Sequence, residues 1–297
     1  MVSARPSEFE KFRRTIEQAN KLRERVDHRA GIRAERIRQL EGRDANEQIK
    51  KARRYAGQAA WERYLRAHDM KVATNRSTYQ FDMEPDGPST QAISPIDHKG
   101  VDATMSITYN NYTSYYYAEI SFQLYMEGPY YDTEIEYDYG EAPMDTVGLG
   151  WKDICWERHF ASLQDGTSTS SNVTLNTDSY TTNGLGAEVD DAQMWEEWKN
   201  QHTISQAAYT DTEFFGIYMD SEKGSNNECD VDSDTKVLGI YDHTWSGTFS
   251  GFDVSVGLPL SISIKYEGST PSHDYTRTGK NDEYPLEVTL GDAELIY

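Results

Sequence analysis

The chain has 297 residues and a formal net charge of −21, divided unevenly: residues 1–76 carry 20 Lys/Arg against 11 Asp/Glu, and residues 77–297 carry 9 against 39. Hydrophobic residues at 37% and aromatics at 12% exclude a disordered acidic chain, so the acid is laid over a folded body. No window of about 18 apolar residues occurs, which excludes a membrane-spanning helix.

The net charges of the two parts, +9 and −30, mark a boundary near Arg76 and predict a basic arm, residues 1–70, followed by an acidic body, residues 71–297. With seven Lys and two Arg against its 39 carboxylates, the body repels itself in dilute solution. Molar salt shortens the Debye length to about 3 Å and removes most of that cost. A salt-saturated cytoplasm or a brine fits this composition, with binding of many cations as the competing explanation.

From Phe9 the apolar residues of the arm fall at heptad spacing. Phe9, Ile16, Ala30 and Ile37 share one register, and Phe12, Ala19, Val26 and Leu40 share the other. Arg23 and Arg33 interrupt the seam, so the stripe is wider than that of a two-stranded coiled coil. A helix from Ser7 to Glu41 would run about 50 Å and needs something to pack on. Gly42 stops it, and Asp44 with Glu47 has the capping-box spacing that starts a second helix. That helix carries Ile49 and a series of alanines, with Trp61, Tyr64 and Leu65 as anchors to the body. The arm therefore reads as a helical hairpin for oligomerisation or anchoring, with Phe9, Phe12, Ile16, Ala19, Val26, Ile37, Leu40 and Ile49 as its assembly positions. Its paired Arg and Lys residues admit three readings: a solvated face, docking on an acidic subunit such as another copy's body, or contact with nucleic acid or an anionic membrane surface.

After Met70 the apolar period changes to two. Val101, Ala103, Met105, Ile107 and Tyr109 alternate with polar residues, as do Ala118, Ile120, Phe122, Leu124 and Met126. Further strands are expected at 79–83, 135–139, 172–175, 214–219, 237–243, 260–266 and 286–290. The fold class is α+β, mainly β: a long helix or hairpin, then an antiparallel sandwich, with a jelly roll or a barrel as the finer possibilities. One short helix is expected around 190–200, with Met194, Trp195 and Trp198 on a shared face.

Chemistry-bearing patterns are few. Asp230, Asp232 and Asp234 have the spacing that wraps a hard cation such as Ca²⁺, but Thr235 and Tyr241 stand where an EF-hand needs Gly and Glu, so an acidic turn competes. Asp132, Glu134, Glu136 and Asp138 share one face of a strand and read as a solvated acidic face. Asp242 and His243 are adjacent, yet neighbours on a strand point to opposite faces, so His243 groups with Tyr241 and Trp245 instead. Cys155 and Cys229 lack metal-ligand spacing and are buried thiols or a disulfide. Asn75, Asn111 and Asn172 head weak glycosylation sequons. No nucleophile elbow, zinc-protease helix, phosphate loop or dinucleotide fingerprint is present, so no catalytic residue is expected.

The run Pro143, Met144, Asp145, Thr146, Val147, Gly148, Leu149, Gly150, Trp151, together with Tyr241 to Trp245, resembles segments of β-rich proteins of unknown function from haloarchaea and their viruses. That resemblance covers the body and supplies no catalytic residue. Its relatives are often exported by a twin-Arg signal, whereas residues 1–12 have no apolar signal core. The expectation is a homo-oligomeric structural protein of a haloarchaeal virus particle, made in a high-salt cytoplasm and carried outside by assembly with other acidic subunits. A glycan- or protein-binding recognition module is the alternative, with a hydrolase third.

Overall fold

The computed structural model describes residues 7–41, 46–80, 98–110, 113, 115–127, 144–152, 156–158, 172–176, 183–191, 193–194, 197, 207–221, 235–246, 249–257, 261–270, 272–276 and 286–289. Helices α1 (Glu8–Glu41), α2 (Asn46–Arg53) and α3 (Ala56–Arg66) come first. Fourteen strands follow among the described residues: β1 (Lys71–Gln80), β2 (His98–Tyr109), β3 (Tyr115–Glu127), β4 (Asp145–Trp151), β5 (Trp156–Arg158), β6 (Val173–Asn176), β7 (Gly184–Val189), β8 (Ala207–Tyr209), β9 (Glu213–Ser221), β10 (Val237–Ser246), β11 (Phe249–Gly257), β12 (Ser261–Gly268), β13 (Ser272–Tyr275) and β14 (Leu286–Val288). The chain is α+β and mainly β, with all described strand pairs antiparallel.

One sheet has the order β1-β2-β3-β9-β5, with β8 also on β3, and a second has β13-β10-β4-β7-β6, with β14 also on β10. Their inner faces share one core, in which Val101, Met105, Ile107, Ile120 and Phe122 of the first sheet join Val147, Leu149, Trp151, Val237 and Tyr241 of the second. The period-two pattern of the sequence is this inner face. At Gly239 the sheets approach so closely that a Cβ would lie 2.7 Å from the Met105 sulfur. A Greek key returns its fourth strand beside its first. Here β9 follows β3 and β1 is left at the edge, so the described strands do not spell out a jelly roll.

Each sheet is covered on its outer side as well. The β11–β12 hairpin lies on the second sheet, where Phe252, Val254 and Ile262 pack on Leu238 and Ile240. It needs glycine beneath it: a Cβ at Gly150 would meet Val256 at 2.7 Å, and one at Gly148 would meet Val254 at 3.0 Å. This explains why β4 and β7 escaped the periodicity. Every residue of β4 is buried, so hydrophobic alternation is replaced by glycine on one side and apolar residues on the other. The strand β1 also begins at Lys71, earlier than the expected 79–83, because its Val72 packs under the helices rather than in the inter-sheet core.

The helices roof the first sheet. Phe9, Phe12, Ile16 and Ala19 of α1 and Trp61 and Leu65 of α3 form a cluster with Met70, Val72, Tyr117 and Tyr218. The expected single second helix is divided into α2 and α3 at Tyr55, whose φ of 55° is left-handed. The break turns Arg54 toward β1 and β2, where it bonds Thr78 and Asp102. At 190–197 the Asp190 carboxylate caps Gln193 N–H at 2.8 Å, and Met194 enters the core. Trp195, Trp198 and the expected strand at 135–139 lie outside the described residues.

Placing a branched side chain beneath the hairpin, as in Gly150→Val, is expected to destabilise the protein by about 1–3 kcal/mol through overpacking. Denaturant unfolding in about 3 M KCl measures it, and an unchanged midpoint would mean that the hairpin does not press on β4.

Candidate functional site

On β2 and β3 the residues facing the helices are polar yet buried: Asp102, Thr104, Ser106 and Thr108 on one strand, and Glu119, Ser121 and Gln123 on the other. The helical layer supplies partners for Asp102, Ser106, Glu119 and Ser121, while Gln123 donates to the Thr210 carbonyl at 2.7 Å. Arg23 of α1, fully buried, donates to Glu119 Oε1 at 2.5 Å and to Asn20 Oδ1 at 3.2 Å, and Tyr117 Oη donates to Glu119 Oε2 at 2.9 Å. The guanidinium carbon lies 4.8 Å from the Trp61 ring centre and 4.7 Å from that of Phe214. Its Nε and Nη1 have no hydrogen-bond partner among the described residues, so ring faces take over part of the work of water. Trp61 Nε1 donates to Asn20 at 2.7 Å, and Gln58 accepts from Ser121 at 3.0 Å. Burial pushes the Glu119 carboxyl above its usual range, and Arg23 and the Tyr117 hydroxyl hold it back.

A second clamp lies farther along the same interface. Asp27 accepts from Gly57 N–H at 2.7 Å and from Thr212 N–H at 3.3 Å, so one carboxylate ties α1 to the start of α3 and to the residue before β9. Gly57 is required there, because any Cβ would overlap the Asp27 carboxylate. Arg53 bridges the Asp27 carbonyl at 3.2 Å, the Tyr209 carbonyl at 2.5 Å and Asp211 at 3.2 Å. Burial, aided by Asp211, pushes the Asp27 carboxyl from 3.8 up to about 6 against the pull of Thr212, Arg53 and Gly57.

The opposite face of α1 is exposed and cationic. Lys11, Arg14, Lys21, Arg25, Arg29, Arg33 and Arg36 are all exposed. At about 100° per residue they fall within an arc of about 120° and run about 38 Å along the axis. The carboxylates of this helix lie off that arc. Ile32 at 56% exposure and Leu40 at 76% lie on it. A shallow groove of about 460 Å³ beside this ridge is lined by Gln18, Lys21, Glu24, Arg25 and Tyr64.

Of the expected assembly positions, Phe9, Phe12, Ile16 and Ala19 lie against the chain's own first sheet, Ile37 packs on Ala34, Val26 is half-buried and Leu40 faces solvent. The Ile49 side chain lies outside the described residues, as do Asp230, Asp232 and Asp234, the series 132–138, and both cysteines. Two sequon asparagines belong to the fold: Asn172 is 2% exposed and donates to Glu197 at 3.0 Å, and Asn75 donates to the Glu287 carbonyl at 2.8 Å.

His243 does point away from Asp242, which accepts from Tyr266 of the hairpin at 2.8 Å. Its partner is Asp145, one step beyond the last β4–β10 pair, Asp242 with Thr146. His243 Nδ1 lies 3.0 Å from both Asp145 oxygens, Thr244 N–H donates to Asp145 at 2.8 Å, and Tyr241 Oη donates to the same carboxylate. Asp191, 3% exposed, completes a trio whose potential ligand atoms lie within 4.8 Å of one another. Oxygen and imidazole donors together suit a divalent cation. However, three donors already satisfy the Asp145 oxygens, and the zero exposure of Asp145 and His243 shuts out a substrate. Sequence reasoning missed Asp145 because it lies 98 residues from His243.

No family model matches the chain, and no curated protein matches it. Among solved structures, a chain described as "Pore forming protein" is similar with a TM-score of 0.28 and 6% identity, over 69% of this chain and 89% of that one. A likeness at that TM-score carries no argument about activity. No described helix is long and apolar enough to cross a membrane.

Arg23→Met strands the buried Glu119 charge and is expected to cost about 3–5 kcal/mol, while adding Glu119→Gln restores part of the loss. Equal instability of the single and double variants, by thermal unfolding, would refute the pairing. The Asp27 carboxyl titrates higher in the folded state than in the unfolded one. Its contribution is therefore complete below 3.8 and lost as pH rises through about 6. The stability of wild type relative to Asp27→Asn should thus grow between about pH 7 and about pH 4. A difference independent of pH would contradict this.

Proposed function

We propose that this chain is a structural assembly protein adapted to concentrated salt, and that its setting is the particle of a halophilic archaeal virus, as a spike, turret, fibre or vertex component. The observation that carries this reading is the segregation of charge: a 38 Å cationic ridge, by the axial estimate of about 1.5 Å per residue, stands on a chain whose remainder is strongly acidic. A subunit with two unlike surfaces is equipped to bind others of its kind or acidic neighbours. Production in a salt-rich cytoplasm and delivery outside within an assembly belong to the same proposal.

Two details support a role without catalysis. The one described His–Asp pair is sealed from solvent, and Trp151 and Trp156, which a glycan platform would need at the surface, are in the core. The recognition-module alternative loses those two aromatics. Calcium at Asp230, Asp232 and Asp234 remains part of the proposal only as a ligand for an acidic turn.

Mass spectrometry of purified particles from infected halophile cultures tests the virion setting: the chain is expected as a stoichiometric component, and its absence from particles would end that reading. The salt adaptation has its own check. The melting temperature should rise steadily from about 0.2 to about 3 M KCl and do so equally in NaCl. Stability in dilute buffer, or rescue by millimolar Ca²⁺ alone, would point to specific cation binding instead.

A further inference from the structure

The outward ridge of α1 has a partner of definable chemistry. We propose that it docks on the acidic body of a second copy of this chain, an inference that rests on the assembly reading above and names its contact surface.

Four observations lead there. The ridge carries seven exposed cations and no carboxylate on its arc, which is far from the alternating signs of a helix face solvated for its own sake. Among the described residues Arg14, Lys21, Arg29, Arg33 and Arg36 form no ion pair. The reverse side of the same helix already joins this chain's own acidic sheet, through Arg23 with Glu119. The turn between α2 and α3 does likewise, through Arg54 with Asp102. The charge complementary to the ridge is abundant on the same chain, since residues 77–297 carry a net −30. Finally, Ile32 among the cations and Leu40 just beyond the last of them add exposed apolar area. Molar salt screens charges beyond about 3 Å, leaving contact pairs and apolar burial as the forces that survive, and the ridge offers both.

A nucleic acid is the less favoured occupant. Seven phosphate contacts would lose affinity by about six powers of ten for each tenfold rise in salt, and the acidic body repels a polyanion at every salt concentration below full screening. Because ridge and body are unlike surfaces, the contact closes either as a reciprocal two-fold pair or as a ring.

The test uses the full chain in about 3 M KCl. Light scattering after gel filtration compares wild type with the variant carrying Arg25→Glu, Arg29→Glu and Arg33→Glu, all exposed positions, with folding checked by circular dichroism. Carbodiimide coupling of mixed isotope-labelled and unlabelled copies then asks whether Lys11 and Lys21 join body carboxylates of another copy. The expected result is an oligomer for wild type, a monomer for the folded variant, and inter-copy crosslinks at both lysines. A folded variant that keeps the wild-type mass overturns the ridge as the contact while leaving assembly intact. A wild-type monomer overturns the ridge and the assembly reading together. Binding of a 30-base-pair duplex, about three helical turns, in the same salt and its loss in the variant would assign the ridge to nucleic acid instead.

Discussion

A guanidinium removed from water must find both a negative charge and something to lie against, and Arg23 finds both at once. Glu119 supplies the charge, while Trp61 and Phe214 supply ring faces. Those residues come from α1, β3, α3 and β9, so the one interaction fixes the helical layer on the sheet. Around it the polar residues of β2 and β3, which alternation assigns to solvent, are roofed by Gln58 and Arg54. The helical layer therefore docks with a specified register. An apolar seam alone would let α1 slide by a turn, but Asp27 accepts from Gly57 and Thr212 in one position only.

The second sheet solves the same problem with opposite means. Its outer face is covered by the β11–β12 hairpin through aliphatic and aromatic side chains, and the fit comes from subtraction, with Gly148 and Gly150 leaving room for Val254 and Val256. The molecule thus has a polar interface on one side and a mainly apolar one on the other, edged by Tyr266 on Asp242, flanking a common core. The buried His243 sits where β4 and β10 meet, held by Asp145 and next to Tyr241, so even the imidazole serves the sheet.

The sequence made the long helix legible because Phe9, Phe12, Ile16 and Ala19 recur at helical spacing, and it made β2 and β3 legible because their apolar residues alternate. Both signals come from elements with one face of each kind. Where both faces are buried the signal vanishes: β4 reads Asp-Thr-Val-Gly-Leu-Gly-Trp, a string in which glycine marks packing rather than a turn. The polar side of β3 misled in a subtler way, since Glu119 and Ser121 look like solvent-facing residues until their partners from the helices, Arg23 and Gln58, are known. The ridge of α1 was visible as a charge excess, but only the placement of its buried face separates Arg23, which belongs to the core, from Arg25 and Arg29, which do not.

The distances in sequence between partners carry one more consequence, for the order of events on the ribosome. Arg23 waits for a residue 96 positions downstream and Asp27 for one 185 positions downstream. Chains are made from the N-terminus at about 5–20 residues per second, so α1 spends several seconds complete, apolar on one side and cationic on the other, with no sheet to cover. During that interval the apolar stripe of α1 is exposed on the nascent chain, and the cations beside it keep the waiting helix solvated.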